Sequence, residues 1–230
     1  GQPDFYFKGV PATTTVSELE IDQPRIYFGE SAESVEYVVV NSLQEEVDYP
    51  LSTEGQSVAY TNYSGDGGVG IGSFFRRLGF ALRYSELNLL ISNQLSDDSK
   101  LIMERNVVSR VKKAAPFLYT DNDPYLALIE GNLFWIIDMY TVSDKYPYAQ
   151  PADTRRINEN SGLPLNFNYL RNSVKAVVNA YDGTLNFYVV DENDPLIATY
   201  NDIFPNLFSP KSSMSSDLLD HIRYPEDLFT

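Results

Sequence analysis

The sequence predicts an α+β fold: a mainly antiparallel sheet built from hairpins, with helices packed on it. Two stretches carry the sheet. Residues 172–191 (NSVKAVVNAYDGTLNFYVVD) set two runs rich in Val, Tyr and Phe on either side of Asp182-Gly183. Such a pair between β-prone runs favours a tight type I′ turn, whose two central residues both need positive φ. Residues 125–140 (YLALIEGNLFWIIDMY) form a second hairpin, turning near Gly131-Asn132. The helical part comes from residues 73–92. There Phe74, Phe75, Leu78, Ala81, Leu82 and Leu89 recur as one apolar stripe, with Arg76, Arg77 and Arg83 off it.

In chain order, residues 1–24 read as an extended arm with turns at Pro3, Pro11 and Pro24. Residues 25–29 and 36–41 read as strands. The segment 52–72 is rich in Gly, Ser and Asn and ends in GDGGVGIG. A phosphate-cradling loop needs a strand directly before it and a Lys-Ser/Thr after it, and both are missing, so a flexible loop leading into the helix is expected. A short strand follows at 100–105, then a helix at 106–115 stopped near Pro116, with Arg110, Lys112 and Lys113 as its solvated face. In the second hairpin Leu133, Trp135, Ile137 and Met139 alternate with Phe134, Ile136, Asp138 and Tyr140. Both faces are mostly apolar, which predicts a central strand covered on each side.

Residues 141–168 lack periodicity and contain Pro147, Pro151 and Pro164. This loop is expected to divide into a packed end at Tyr146–Tyr148 and an exposed, mobile tip over 150–162. In the central hairpin Val174, Ala176, Val178 and Ala180 share a face, matched by Leu185, Phe187 and Val189 on the return, so a half-buried ribbon is expected. A helix over 169–181 competes, because Leu170, Val174, Val177 and Val178 also fall at helical spacing; turn chemistry outweighs it. Short helices close the chain at 195–204 and 215–223, the second capped by serine. The whole of 1–230 reads as one domain.

Composition narrows the function. Seventeen basic against 32 acidic residues give a net charge of −15 over 230 residues, which argues against a nucleic-acid partner and disfavours broad contact with anionic lipid, a local basic patch excepted. With no cysteine and one histidine, His221, thiolate or multi-histidine metal sites are excluded and any Ser-His-Asp relay would have to use that one residue. No metal and no cofactor are expected. No apolar run approaches the ~18 residues of a membrane helix, and no basic-then-apolar leader opens the chain.

The candidate binding residues are Asp138, Tyr146, Tyr148, Arg155, Arg156, Arg171 and Lys175. Asp138 lies in a predicted interior strand, where an unpaired charge is costly. Arg155, Arg156, Arg171 and Lys175, with Arg76 and Arg77, are basic residues in an acidic chain, and their convergence would suit an anionic lipid headgroup or an envelope protein. Tyr146 and Tyr148 sit at the packed end of the long loop. No catalytic residue is assigned, and no self-sufficient catalyst is expected.

Several segments in one collinear order carry a resemblance: FKGVP at 7–11, PRIYFGE at 24–30, YVVVN at 37–41, VDYP at 47–50, GGVGIGSFFRRLGFA at 67–81, APFL at 115–118 and DNDPY at 121–125. DMYTVSDKYPY at 138–148, NYLRNSVKAVVNAYDGT at 168–184 and HIRYPEDLF at 221–229 complete it. The chain resembles the UPF0182 family of bacterial integral membrane proteins. The resemblance implies a set of membrane-spanning helices followed by a large extracytoplasmic region, of which this chain is the first half. Its implied partners are therefore the protein's own membrane-spanning helices and the missing C-terminal half. Two departures are small: Asn179 stands where Asp is usual and Ile222 where Leu is common. The leading reading of the role is non-enzymatic (assembly, gating or substrate delivery); an enzyme acting on an envelope glycan or lipid, or a ligand-binding module, is the alternative.

Overall fold

The computed structural model describes residues 6–10, 12–31, 37–51, 57–157, 161–225 and 228. Its early strands form two small sheets. β1 (Tyr37–Val40) and β4 (Val69–Gly70) flank β5 (Lys100–Met103), while β2 (Glu46–Pro50) and β3 (Val58–Thr61) make a separate hairpin. The main sheet follows in the order β11-β10-β9-β8-β6. It comprises β6 (Tyr119–Thr120), β7 (Tyr125–Ile129), β8 (Asn132–Ser143), β9 (Tyr169–Asn179), β10 (Leu185–Val189) and β11 (Phe208–Pro210). β8 is long enough to serve β7 along its first half and β6 along its second. Only the β10–β11 pair is parallel. The α+β class and both hairpins are as the sequence predicts.

Their turns differ from expectation. The type I′ geometry belongs to the β7–β8 hairpin, where Ile129 pairs with Asn132 across Glu130 (φ 49°) and Gly131 (φ 77°). At the β9–β10 connection only Gly183 takes positive φ (73°). The Asn179 carboxamide accepts from the N–H groups of Tyr181 and Asp182 at 2.8 and 3.2 Å, and Asn179 N–H donates to Thr184 O at 2.9 Å. That local capping stretches the connection to four residues, as Asn side chains do when they compete for backbone donors. Gly183 is still required: a Cβ there would lie 2.4 Å from the Phe28 ring.

The hairpin is also more deeply buried than a half-exposed ribbon, with every residue from Ser173 to Val178 buried. On one face Val174, Ala176 and Val178 join Ile137, Met139 and Phe187. The cover there is α3 (Val107–Ala114) and α4 (Pro195–Ile203), through Val107, Val111 and Ile197. On the other face Ile136 and Val177 meet Met214 and Leu218, the latter on α5 (Ser216–Asp220). Helices on both sides of a sheet explain why β8 and β9 read as near-continuous apolar runs.

The predicted 73–92 helix breaks at Ser85, which takes a left-handed φ of 54°, into α1 (Phe74–Tyr84) and α2 (Asn88–Ile91). The pair packs on the small β1-β5-β4 sheet through Ala81, Leu89, Ile71 and Leu101 rather than on the main one. Three further expectations are corrected. Residues 25–29 are not a strand: Tyr27 and Phe28 N–H both donate to Ala180 O, at 2.9 and 3.0 Å, and only Gly29 forms an isolated bridge, to Asn106. Of the glycine-rich segment 52–72, residues 52–56 lie outside the described residues, and the GDGGVGIG end is pinned instead of loose, since β4 pairs with β5 and a Cβ on Gly67 would sit 2.0 Å from Asp182 O. Arg110 also departs from the solvated helix face. Its guanidinium stacks 4.8 Å from the Phe28 ring and donates to Gly183 O at 2.9 Å.

Candidate functional site

The densest polar chemistry lies along the β8–β9 seam, where the two longest strands run antiparallel with Asp138 opposite Lys175. These residues are 5% and 2% exposed. Lys175 Nζ donates to Asp138 Oδ1 and, at 2.9 Å, to the Arg223 carbonyl. Arg223 in turn is held by Tyr125: its N–H donates to the Tyr125 hydroxyl at 3.2 Å and its guanidinium lies 4.6 Å above that ring. Beside the pair, Asp121 N–H donates to Asp138 O at 2.8 Å, and the Asp121 carboxylate accepts from the Tyr140 hydroxyl at 3.0 Å. Burial pushes the Asp138 carboxyl above its ordinary range, and Lys175 and Asn172 only partly offset that. The arrangement is a sealed strut that ties the C-terminal segment to the sheet.

A register shift follows at once, between Met139 and Tyr140 on β8. With the bulge, Ser173 joins Thr141 and Tyr169 in turning toward one group, the fully buried Asp194. Asp194 Oδ2 accepts from the Thr141 and Ser173 hydroxyls; Oδ1 accepts from the Tyr169 hydroxyl at 2.5 Å and from Leu196 N–H at 2.9 Å. The last bond makes Asp194 the N-cap of α4, with Pro195 in the first turn. Burial alone would raise the Asp194 carboxyl. The donors from Ser173, Thr141, Tyr169 and Leu196 outweigh it and hold the group below the usual carboxylate range. The Tyr169 phenol is raised, by burial first and then by its bond to Asp194.

Of the sequence-nominated residues, the structure therefore joins Asp138 to Lys175. Arg171 pairs with Asp191 at 2.9 Å and lies 5.9 Å from the Tyr169 ring, on which Tyr146 stacks at 5.0 Å. Arg155 closes on its neighbour Asp153 at 2.6 Å. The side chain of Arg156 lies outside the described residues. Tyr148, expected to be packed, is fully exposed with a left-handed φ of 62°. Among the described side chains, register buries Lys175, while Arg171 and Arg155 each find a nearby carboxylate. Within 150–162, the outgoing limb through Asp153 is exposed, whereas Gly162 lies so close to the Thr120 carbonyl that a Cβ would overlap it.

Sequence reasoning missed Asp194, Thr141, Ser173 and Tyr169. The available signal was ENDP at 192–195, which also fits an ordinary Asx-Pro turn. His221 ends α5, its Nδ1 2.8 Å from Asp217 O. Among the described residues no group of three or more His, Asp or Glu is placed to hold a metal ion, and no helix is long and apolar enough to cross a membrane. Clefts lined by described residues open elsewhere. One of ≈ 560 Å³ is walled by Phe7, Val10, Ile21 and Leu128. Another of ≈ 390 Å³ lies between Tyr27, Glu46 and Arg105. The third, of ≈ 380 Å³, lies against Ile197 and Phe208.

Comparison with known proteins finds the model of the "Uncharacterised protein family (UPF0182)" matching residues 1–230. A UPF0182 protein of Pelotomaculum thermopropionicum is 44% identical over 229 residues, covering 100% of this chain and 23% of that protein. One from Trichodesmium erythraeum is 45% identical over 237 residues, with 100% and 25% covered. A third, from Methanospirillum hungatei, is 42% identical over 229 residues, with 100% and 24% covered. The chain thus spans about a quarter of the length of these curated relatives. No solved structure matches. A family match from end to end, joined by full-length alignments at this identity, leads to one conclusion: the chain belongs to the UPF0182 family.

Proposed function

We propose that this chain is a non-enzymatic, extracytoplasmic region of a larger multi-span membrane protein, serving assembly, gating or substrate delivery. The observation that carries the non-enzymatic part is the closure of the Asp138–Lys175 pair. A general acid or base must come within hydrogen-bond reach of its substrate, yet Asp138 faces Lys175 beneath the Arg223 carbonyl. Asp194 is likewise saturated by four donors. The extracytoplasmic placement is supported by the family resemblance of the sequence. The partners are the membrane-spanning helices and C-terminal half of the same protein. A ligand-binding module is the second reading, favoured by the apolar cleft of ≈ 560 Å³ beside the N-terminal arm, a size suited to a small ligand.

Incubation of the purified chain with peptidoglycan fragments and with lipid esters is expected to give no turnover above buffer. Turnover that disappears in a folded Asp138→Asn variant overturns the reading. Placement has its own test. Tyr148 is fully exposed, so Tyr148→Cys in an otherwise cysteine-free full-length protein is expected to react with a membrane-impermeant maleimide on intact cells. Labelling only after lysis places the region on the cytoplasmic side.

A further inference from the structure

The α1–α2 unit leaves five large apolar side chains on its outside. Phe74, Phe75, Leu82, Leu87 and Ile91 are all between 63% and 80% exposed. The inner side of α1 is instead supplied by Ala81 and by the half-buried Phe80 and Tyr84. Arg77 is committed inward as well, its Nε donating to Ile71 O at 2.7 Å and its Nη2 to Ser96 O at 3.3 Å. Helical geometry then aligns Phe75, half-buried Leu78 and Leu82 (i, i+3, i+7) along the outer face. Arg76 and Arg83 flank that stripe on one side, also seven residues apart. Neither is fully committed: Arg76 makes one bond of 3.2 Å to Gly70 O, and Arg83, 55% exposed, reaches Glu104 at 3.6 Å and lies 5.4 Å from the Tyr84 ring. α1 reads FFRRLGFALRY, three arginines and no acid, in a chain of net charge −15.

From this we infer that the outer face of α1–α2 is a membrane-surface contact. Phe75, Leu82, Leu87 and Ile91 enter the headgroup–acyl boundary of an anionic leaflet, and Arg76 and Arg83 meet lipid phosphates. The inference deepens the proposed membrane setting and rests on it for its biological sense. Charge complementarity selects the occupant. A second copy packed about a two-fold axis would set the same arginines against one another and bring two chains of net −15 together, whereas phosphates offer bidentate partners for guanidinium. Glu104 beside Arg83 and Glu86 in the α1–α2 link are the local counter-charges; the chain's more distant acids oppose the contact weakly, because charges beyond roughly 8 Å are screened at physiological salt. Eleven helical residues reach only about 16 Å, too short to span a bilayer and suited to lying in its surface.

Co-sedimentation of the purified 230-residue chain with vesicles tests it. Vesicles of phosphatidylcholine containing phosphatidylglycerol are expected to pellet the protein, and vesicles of phosphatidylcholine alone to pellet much less. The double change Phe75→Ser/Leu82→Ser alters exposed positions only. It is expected to reduce binding about tenfold or more, since both side chains lose the apolar area that enters the lipid, with an unchanged circular dichroism spectrum. Arg76→Gln/Arg83→Gln is expected to abolish the preference for phosphatidylglycerol while leaving residual apolar binding. Absence of vesicle binding overturns the inference, as does binding indifferent to both variants. So does a concentration-dependent dimer that the Phe75/Leu82 variant dissolves, which gives the face to a second copy. None of these outcomes touches the turnover or labelling results, so the non-enzymatic reading stands or falls separately.

Discussion

Lys175→Ala is expected to cost about 3–5 kcal/mol of unfolding free energy, the usual effect of stranding one member of a buried ion pair. The attraction between the two groups does not set that figure by itself. Removing Lys175 leaves the Asp138 carboxyl at 5% exposure without its ion-pair partner, and leaves the Arg223 carbonyl without its 2.9 Å donor. The pH dependence has a definite sign. Burial already holds the Asp138 carboxyl above its ordinary value, so its contribution is fully present below the unfolded pKa of about 3.9 and is lost as pH rises through the folded value. Without Lys175 the folded value rises further, and the deficit of the variant shrinks as acid neutralises Asp138. Urea denaturation at neutral and mildly acidic pH reads both effects. A loss under ~1 kcal/mol, or one that grows in acid, contradicts the sealed-strut description. Lys175→Met with Asp138→Leu is expected to recover most of the loss, because a packed apolar pair removes both desolvation penalties.

The sheet was legible because its signals are local. Val- and aromatic-rich runs separated by Gly-containing turns specify hairpins whatever the rest of the chain does. Turn type was less so. Asp182-Gly183 suggested a two-residue loop, but Asn179, three residues upstream, captures two backbone N–H groups and lengthens it. Glu130-Gly131 took the I′ geometry without the favoured Asn or Asp, because Ile129 and Asn132 were already fixed in register.

The face of α1 inverted for a different reason. Periodicity locates an apolar stripe but not what covers it. Here the stripe through Phe75 and Leu82 faces out, and Arg77 and Ala81 face the small sheet. A basic residue on the inner side is intelligible only once the carbonyls of Ile71 and Ser96 are seen to receive it.

The candidate site was half legible. Asp138 stood out as a charge in an interior strand. Its partner did not, because pairing with Lys175 depends on a register across 37 residues of sequence. The bulge after Met139 shifts that register and assigns Ser173 to the opposite face from Lys175, so the two clusters on one seam serve different layers. No window of sequence contains that information, since a one-residue slip reverses every side chain beyond it.

Replacing Asp194 by Ala is expected to remove about 3–5 kcal/mol, comparable with the Lys175 change but by another route. The N-cap contribution to α4 accounts for about 1–2 kcal/mol. The remainder comes from the hydroxyls of Thr141 and Ser173, buried at the seam, and of Tyr169, which all lose their acceptor. Asp194→Asn keeps an oxygen at the cap but cannot accept from every donor as a charge does, and is expected to cost roughly half as much. Because the donors depress the Asp194 carboxyl in the fold, its contribution is present above the unfolded value of about 3.9 and disappears as pH falls through the lower folded value. The gap between wild type and Asp194→Ala is therefore expected to be flat from about pH 5 to 8 and to narrow below about pH 4. Hydrogen exchange should localise the damage, with α4 and the β8–β9 seam near Thr141 opening first while the β7–β8 turn keeps its protection. A gap that stays constant into acid would mean that Asp194 holds α4 as a neutral cap and that its four donors add no charge-dependent stability.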